Sequence, residues 1–175
     1  MSAFISMKSR FCQTCESACS IAESNFARTS RRNALVSWLI ALVFMHIAQE
    51  ARACIINVTG VNFGTYHVFR NVALDSAGNI DMNCPSGVGY NITLSAGNGT
   101  YEQRILSSGA NSLNYNLYIA ANRAFVWGDA TIGSASVSGS GTGAPVNHVV
   151  YGRTPPHQNV PAGSYSDTIS IMINF

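Results

Sequence analysis

Charge is scarce in this chain: Lys, Arg, Asp and Glu make up 10% of its 175 residues, against roughly 25% in an average globular protein. No lysine occurs after residue 53. A protein that binds a phosphate backbone needs clustered Lys and Arg to release counterions, so nucleic acid is excluded as a partner class. Low net charge with 47% hydrophobic residues also excludes an intrinsically disordered chain, which needs the opposite balance. The little charge there is divides unevenly. Residues 1–53 carry Lys8, Arg10, Arg28, Arg31, Arg32 and Arg52 against Glu16, Glu23 and Glu50, a net +3. Residues 54–175 carry Arg70, Arg104, Arg123 and Arg153 against Asp75, Asp81, Glu102, Asp129 and Asp167, a net −1. This split reads as a basic leader (1–53) ahead of one small, near-neutral domain (54–175).

No apolar run reaches the ~20 residues that a bilayer-spanning helix requires. The longest, Ala34 to Ala48, has fifteen residues, is broken by Ser37 and His46, and follows Arg31-Arg32. That length, with positive charge on its N-terminal side, is the pattern of a signal-peptide core. Ala51-Arg52-Ala53 then supplies an A-x-A exit, which predicts cleavage between Ala53 and Cys54. Acylation of Cys54 as a lipoprotein is the rival reading; Ala51 and Arg52 stand where leucine and a small residue are usual. Cys12, Cys15 and Cys19 form a C-x-x-C-x-x-x-C cluster. Three thiolates lack the fourth ligand of a closed structural metal site, so no metal is assigned to them. Cys54 and Cys84 remain in the exported part, and an even count in an oxidising compartment predicts a disulfide. A reactive thiol pair is the alternative, but nothing basic flanks either cysteine to lower its pKa.

Catalytic signatures are missing as well. His67, His148 and His157 are too far apart in sequence to form an i, i+2 or i, i+4 metal pair. There is no G-x-S-x-G nucleophile elbow. Gly139-Ser140-Gly141-Thr142-Gly143 has the glycines of a phosphate loop but neither the lysine nor a following helix, and reads as a hairpin. No enzyme activity and no cofactor are therefore assigned. Trp127 and Asp129 offer the stacking face and carboxylate of a sugar site; strand running into turn, with a core tryptophan, is the reading their context favours. Asn57, Asn91 and Asn98 begin N-x-S/T triplets, which carry weight only on a eukaryotic secretory route. Arg153 has Asp129 or Asp167 as its expected carboxylate partner.

What is present is β-pattern. Period-2 alternation runs through Ile80, Met82 and Cys84; Tyr90, Ile92, Leu94 and Ala96; Leu113, Tyr115 and Leu117; and Ile169, Ile171, Ile173 and Phe175. Val146, His148 and Val150 make a weaker set. Ala77-Gly78-Asn79, Gly97-Asn98-Gly99 and Ser108-Gly109-Ala110 read as turns between strands. Short strands at this spacing predict a sandwich of the immunoglobulin type with one core. Its final strand, Ser166 to Phe175, keeps an apolar face to the last residue, leaving no later segment in this sequence to pair with it. An open apolar edge invites aggregation. Either an earlier strand covers it or another chain does.

Longer motifs carry a resemblance. They are Gly60-Val61-Asn62-Phe63-Gly64-Thr65-Tyr66, Ile80-Asp81-Met82-Asn83-Cys84, Tyr90 to Gly97, Leu113 to Tyr118, Val126-Trp127-Gly128-Asp129, Tyr151-Gly152-Arg153 and Asn159 to Asp167. With these, residues 54–175 resemble the spore coat protein U domain family, which includes pilin subunits of the archaic chaperone–usher pathway; residues 1–53 are not covered. The resemblance implies an all-β, incomplete immunoglobulin-like sandwich that lacks its last strand, with Cys54 and Cys84 paired. It implies closure by a donor strand from a partner: first a periplasmic chaperone, then, after passage through an outer-membrane usher, a neighbouring subunit. Ile169, Ile171, Ile173 and Phe175 would line the groove that receives this strand. Export through the periplasm to a surface fibre or coat, serving attachment or biofilm, follows from the same resemblance. A stand-alone secreted binding module, such as a carbohydrate-binding sandwich closed internally, is the alternative.

One departure bears on position in a fibre. Polymerising members of the family carry an alternating apolar stretch ahead of the first cysteine. Cleavage after Ala53 would leave nothing ahead of Cys54, predicting a subunit that accepts a strand, does not donate one, and ends a fibre at its tip. Cleavage near Phe26 or Ala27 would leave an extension, and cleavage ahead of the apolar run would leave Leu35 to Ile47 as a donor.

Overall fold

The computed structural model describes residues 2–11, 53–131 and 133–175. The leader's apolar run and Cys12, Cys15 and Cys19 lie outside them. The described residues hold ten strands and no helix: β1 (Ser2–Phe11), β2 (Ile55–Thr59), β3 (Asn62–Thr65), β4 (Leu74–Asn83), β5 (Gly89–Leu94), β6 (Arg104–Ser108), β7 (Asn111–Tyr118), β8 (Val137–Ser140), β9 (Pro145–Thr154) and β10 (Ser164–Asn174). They pair in the order β2-β4-β9-β7-β6-β10-β1-β3, with β5 joining β10 to β8. The ladder curls because β7 serves two neighbours: Asn111 to Tyr115 pair with β6, whereas Asn116 to Tyr118 pair with β9. The β2-β4-β9 ladder thereby forms one layer, and β3, β1, β10, β5 and β8 the other.

Side-chain alternation explains the core. On β10 the buried positions are Tyr165, Asp167, Ile169, Ile171 and Ile173, each with an exposed or half-buried neighbour. Ile80 and Met82 from β4, Ile92 and Leu94 from β5, and Leu113 and Leu117 from β7 are buried in the same cluster. Each points inward because successive residues of a strand face opposite sides, so one phase packs and the other meets water. Fully burying an aliphatic side chain contributes about 1.5–3 kcal/mol.

The structure corrects one local expectation and bears out another. Ala77-Gly78-Asn79 is not a turn but the middle of β4, which pairs with β9 from Leu74 opposite Thr154 to Asn83 opposite Pro145. Gly78 is there for close approach: a Cβ on it would lie 2.5 Å from the Thr59 carbonyl oxygen. The weak Val146–Val150 set belongs to the ten-residue β9, whose partners on both sides make up for its imperfect alternation. Cys54 and Cys84 form a disulfide, as the antiparallel register requires. Ile55 faces Asn83, so the next pair outward is these two cysteines.

Candidate strand-acceptor groove

β3 and β10 do not pair with each other; one strand's width separates them, and β1 fills it. β1 runs parallel to β10 over its whole length, from Ser2 beside Ser164 to Phe11 beside Ile173. On its other side it pairs antiparallel with β3 at Ser2, Ala3 and Phe4, and the Ile5 amide donates to the Val61 carbonyl at 2.8 Å. Ala3 and Ile5 face the core and are 0% and 3% exposed, while Phe4 points outward and is 46% exposed. Met7 packs against the core at its margin. The groove therefore holds an extended strand whose inward residues, Ala3 and Ile5, are small or apolar.

Of the residues expected to line the groove, Ile169, Ile171 and Ile173 are buried in the common core on the strand that flanks it. Phe175 lies past the end of β10 and is 51% exposed. The apolar face therefore stops at Ile173. Gly60, on the opposite wall, permits the close passage of β1: a Cβ there would lie 2.2 Å from the Ile5 carbonyl oxygen.

Behind this wall sits a polar cluster that the sequence reading did not pick out. Arg104 is completely buried. Its Nη1 donates to Asn116 Oδ1 (2.6 Å), its Nη2 to the carbonyls of Trp127 (2.7 Å) and Ser95 (2.9 Å), and its Nε again to Ser95 (3.2 Å). Burial pulls the Arg104 pKa below its usual value. Asn116 passes the link on, donating to the carbonyls of Tyr101 and Glu102. On β10, buried Asp167 accepts from the Tyr115 hydroxyl (2.6 Å), from the Asn98 amide and from the amide of Thr168. Burial, and then the Asp167 carboxylate, push the Tyr115 hydroxyl well above the usual tyrosine range. These groups hold β6, β7 and β10 in place beside the groove. A signal existed: Arg104 shares the phase of Leu106, and Asp167 the phase of Ile169, Ile171 and Ile173, so each is a charge on the inward side of its strand.

Other expected residues fall as follows. Arg153 pairs with neither Asp129 nor Asp167 but with Asp75, its direct cross-strand neighbour, through Nε–Oδ1 at 2.7 Å and Nη2–Oδ2 at 2.8 Å. Arg123 adds a contact to the same carboxylate at 3.0 Å. The Arg153 hydrogen bond chiefly holds Asp75 below the usual carboxylate range. Asp129 accepts from the amide and hydroxyl of Thr131 in a turn, while Trp127 is buried with its indole N–H donating to Ile92. That makes the tryptophan a core residue. His148 meets the Tyr90 hydroxyl at 2.9 Å. Among the described residues no three His, Cys, Asp or Glu side chains are placed to hold a metal.

The model of the spore coat protein U domain matches residues 40–172 of this sequence. The chain belongs to the spore coat protein U domain family. The match starts ahead of Cys54, further towards the N-terminus than the motifs alone indicated. Protein U of Myxococcus xanthus is 31% identical over 132 residues, covering 66% of this chain and 71% of that protein. Among solved structures, a chain of the CsuC–CsuE chaperone–tip adhesion subunit pre-assembly complex from the archaic chaperone–usher Csu pili of Acinetobacter baumannii superposes with a TM-score of 0.50 and 24% identity. That alignment covers 70% of this chain and 39% of the other, so this chain spans about two fifths of its length. The likeness is one of fold.

Proposed function

We propose that this chain is an exported structural subunit of a chaperone–usher type pilus or surface coat, assembled by donor-strand complementation and without catalytic activity. The observation that carries the reading is the groove between β3 and β10, which is one strand wide and is filled by an extended segment with alternate residues buried. Membership of the spore coat protein U domain family supports it. In this reading a periplasmic chaperone fills the groove first and a neighbouring subunit later, with an outer-membrane usher between the two steps. Main-chain hydrogen bonds supply affinity and the alternate side-chain sites supply register. Ile169, Ile171 and Ile173 form the β10 wall against which the incoming strand packs. With a leader cleaved between Ala53 and Cys54, the mature subunit accepts a strand and offers none, which suits the fibre tip and a role in attachment or biofilm.

The test is to express the full chain in its native host with a C-terminal epitope, sequence the N-terminus of the mature protein, and localise the epitope by immunogold microscopy. A mature N-terminus at Cys54 with labelled surface fibres or coat is expected. Retention in the cytoplasm, or release as a free monomer that co-purifies with no chaperone, would refute the reading. The second outcome would favour a secreted binding module closed internally.

A further inference from the structure

We propose that the outward face of the layer built from β4, β9 and the end of β7 carries a binding site for a polysaccharide whose sugars bear carboxylates. The groove between β3 and β10 belongs to the other layer. The proposal therefore goes beyond strand exchange and stands whichever strand fills that groove.

Alternation and register decide which side chains meet on this face. On β9, Val150, Gly152 and Thr154 are buried, so Tyr151 and Arg153 point outward. Tyr151 has Tyr118 of β7 beside it on one flank and Ala77 of β4 on the other, and Arg153 has Asp75 of β4. Residues directly opposite each other share a face. Two tyrosines therefore lie side by side, with a small residue next to them, as a low shelf across three strands. The apolar face of a pyranose ring can rest on such a shelf while the phenol hydroxyls meet its polar groups. Arg153 stands two residues further along β9, about 7 Å from Tyr151, within reach of a carboxylate carried by that ring.

The charge of the site calls for an anion. Asp75 Oδ2 takes both Nη2 of Arg153 at 2.8 Å and Nη2 of Arg123 at 3.0 Å. Two guanidiniums on one carboxylate leave one positive charge over. The nearest other acids are engaged elsewhere: Asp81, towards the far end of β4, accepts from Asn147, and the Glu102 side chain runs beside Gly133. Arg123 gives an independent sign. Its φ is 57°, a left-handed conformation that glycine or asparagine adopts at less cost. Strain held at one residue points to a use for its side chain. By neutralising Asp75, Arg123 leaves the more exposed Arg153 (39% against 17% for the side chains) free to hold a ligand carboxylate, the anion whose geometry a guanidinium matches. A neutral glycan would leave that charge unused, and a phosphate polymer would leave the tyrosine shelf unused.

The test titrates the full chain, disulfide intact, with oligomers of galacturonate, glucuronate and mannuronate, with their methyl esters, and with dextran sulfate, by calorimetry. At least one carboxylated oligomer should bind, and its ester should bind about tenfold or more weakly. Arg153→Gln should lose about as much, and Tyr151→Leu about threefold to tenfold. Arg123→Gly relaxes the strained backbone, so it should weaken binding without lowering the melting temperature; that separates a part in the site from a part in the fold. Binding by none of the three oligomers would overturn the proposal, as would equal binding of an oligomer and its ester. Dextran sulfate bound as tightly as the best oligomer, with Tyr151→Leu without effect on either, would reduce the site to unspecific charge and overturn it too. Association of the chain with itself in light scattering, lost in Arg153→Gln and indifferent to every oligomer, would reassign the face to a protein contact. None of these failures touches strand exchange, which is read separately from the labelled fibres on cells.

Discussion

Arg104 offers the sharpest test of how the groove is supported. Replacing it with Met keeps most of the side-chain volume and removes the guanidinium. The Trp127 and Ser95 carbonyls then lose their donors, whereas Asn116 Oδ1 still accepts from the Leu117 amide. Each buried acceptor left unpaired costs about 1–3 kcal/mol, so two give about 2–6 kcal/mol. Relief of the buried charge's desolvation offsets part of that, and a net loss of about 3 kcal/mol is expected. For a domain of this size that is a fall of about 6–12 °C in melting temperature. Urea denaturation of the non-reduced full chain, followed by near-ultraviolet circular dichroism, reads the change as a lower midpoint with an unchanged slope. Arg104→Lys should recover only part of the loss, since an ammonium cannot reach three acceptors in the plane of a guanidinium. If Arg104→Met unfolds within about 1 kcal/mol of wild type, the cluster is replaceable by apolar packing and the reasoning fails.

Three further outcomes follow from the same structure. Ile171→Ala, at a fully buried site on β10, should cost about 2–5 kcal/mol, while Phe175→Ala should stay within about 0.5 kcal/mol; equal effects in denaturant titrations would contradict the end of the apolar face at Ile173. Replacing Cys54 and Cys84 together by Ser should remove about 3–4 kcal/mol on the chain-entropy model, seen as a matching gap between oxidised and reduced wild type. Burial holds the His148 pKa below the ordinary 6.5, so the unfolded chain takes up its proton first. Stability should therefore fall as the pH drops below about 6.5 until the folded-state pKa is passed. A His148→Gln variant should lose that part of the slope, and an identical pH profile would refute the assignment.

Much of this was legible along the chain. Alternation alone picked out the inward faces of β4, β5, β7 and β10, because a strand with one face on a core must change polarity at every residue. The pairing of Cys54 with Cys84 followed from their count and the exported context. Local signals failed where the neighbour, not the segment, decides the conformation. Ala77-Gly78-Asn79 has the composition of a turn, yet strands on both sides hold it extended, with the Thr59 carbonyl pressed against Gly78. Arg153 found its partner through the β4–β9 register, which no spacing in the sequence reveals. In the sequence Arg104 is one of four arginines after residue 53; only the convergence of Ser95, Asn116 and Trp127 from three separate segments makes its burial tolerable. By itself, the sequence determined an all-β domain whose C-terminal strand carries a continuous apolar face, since side-chain periodicity is a local property. What lies beside that strand is a long-range contact, and only the tertiary structure placed Ser2–Phe11 there, through the width of the groove and the bare Cα of Gly60.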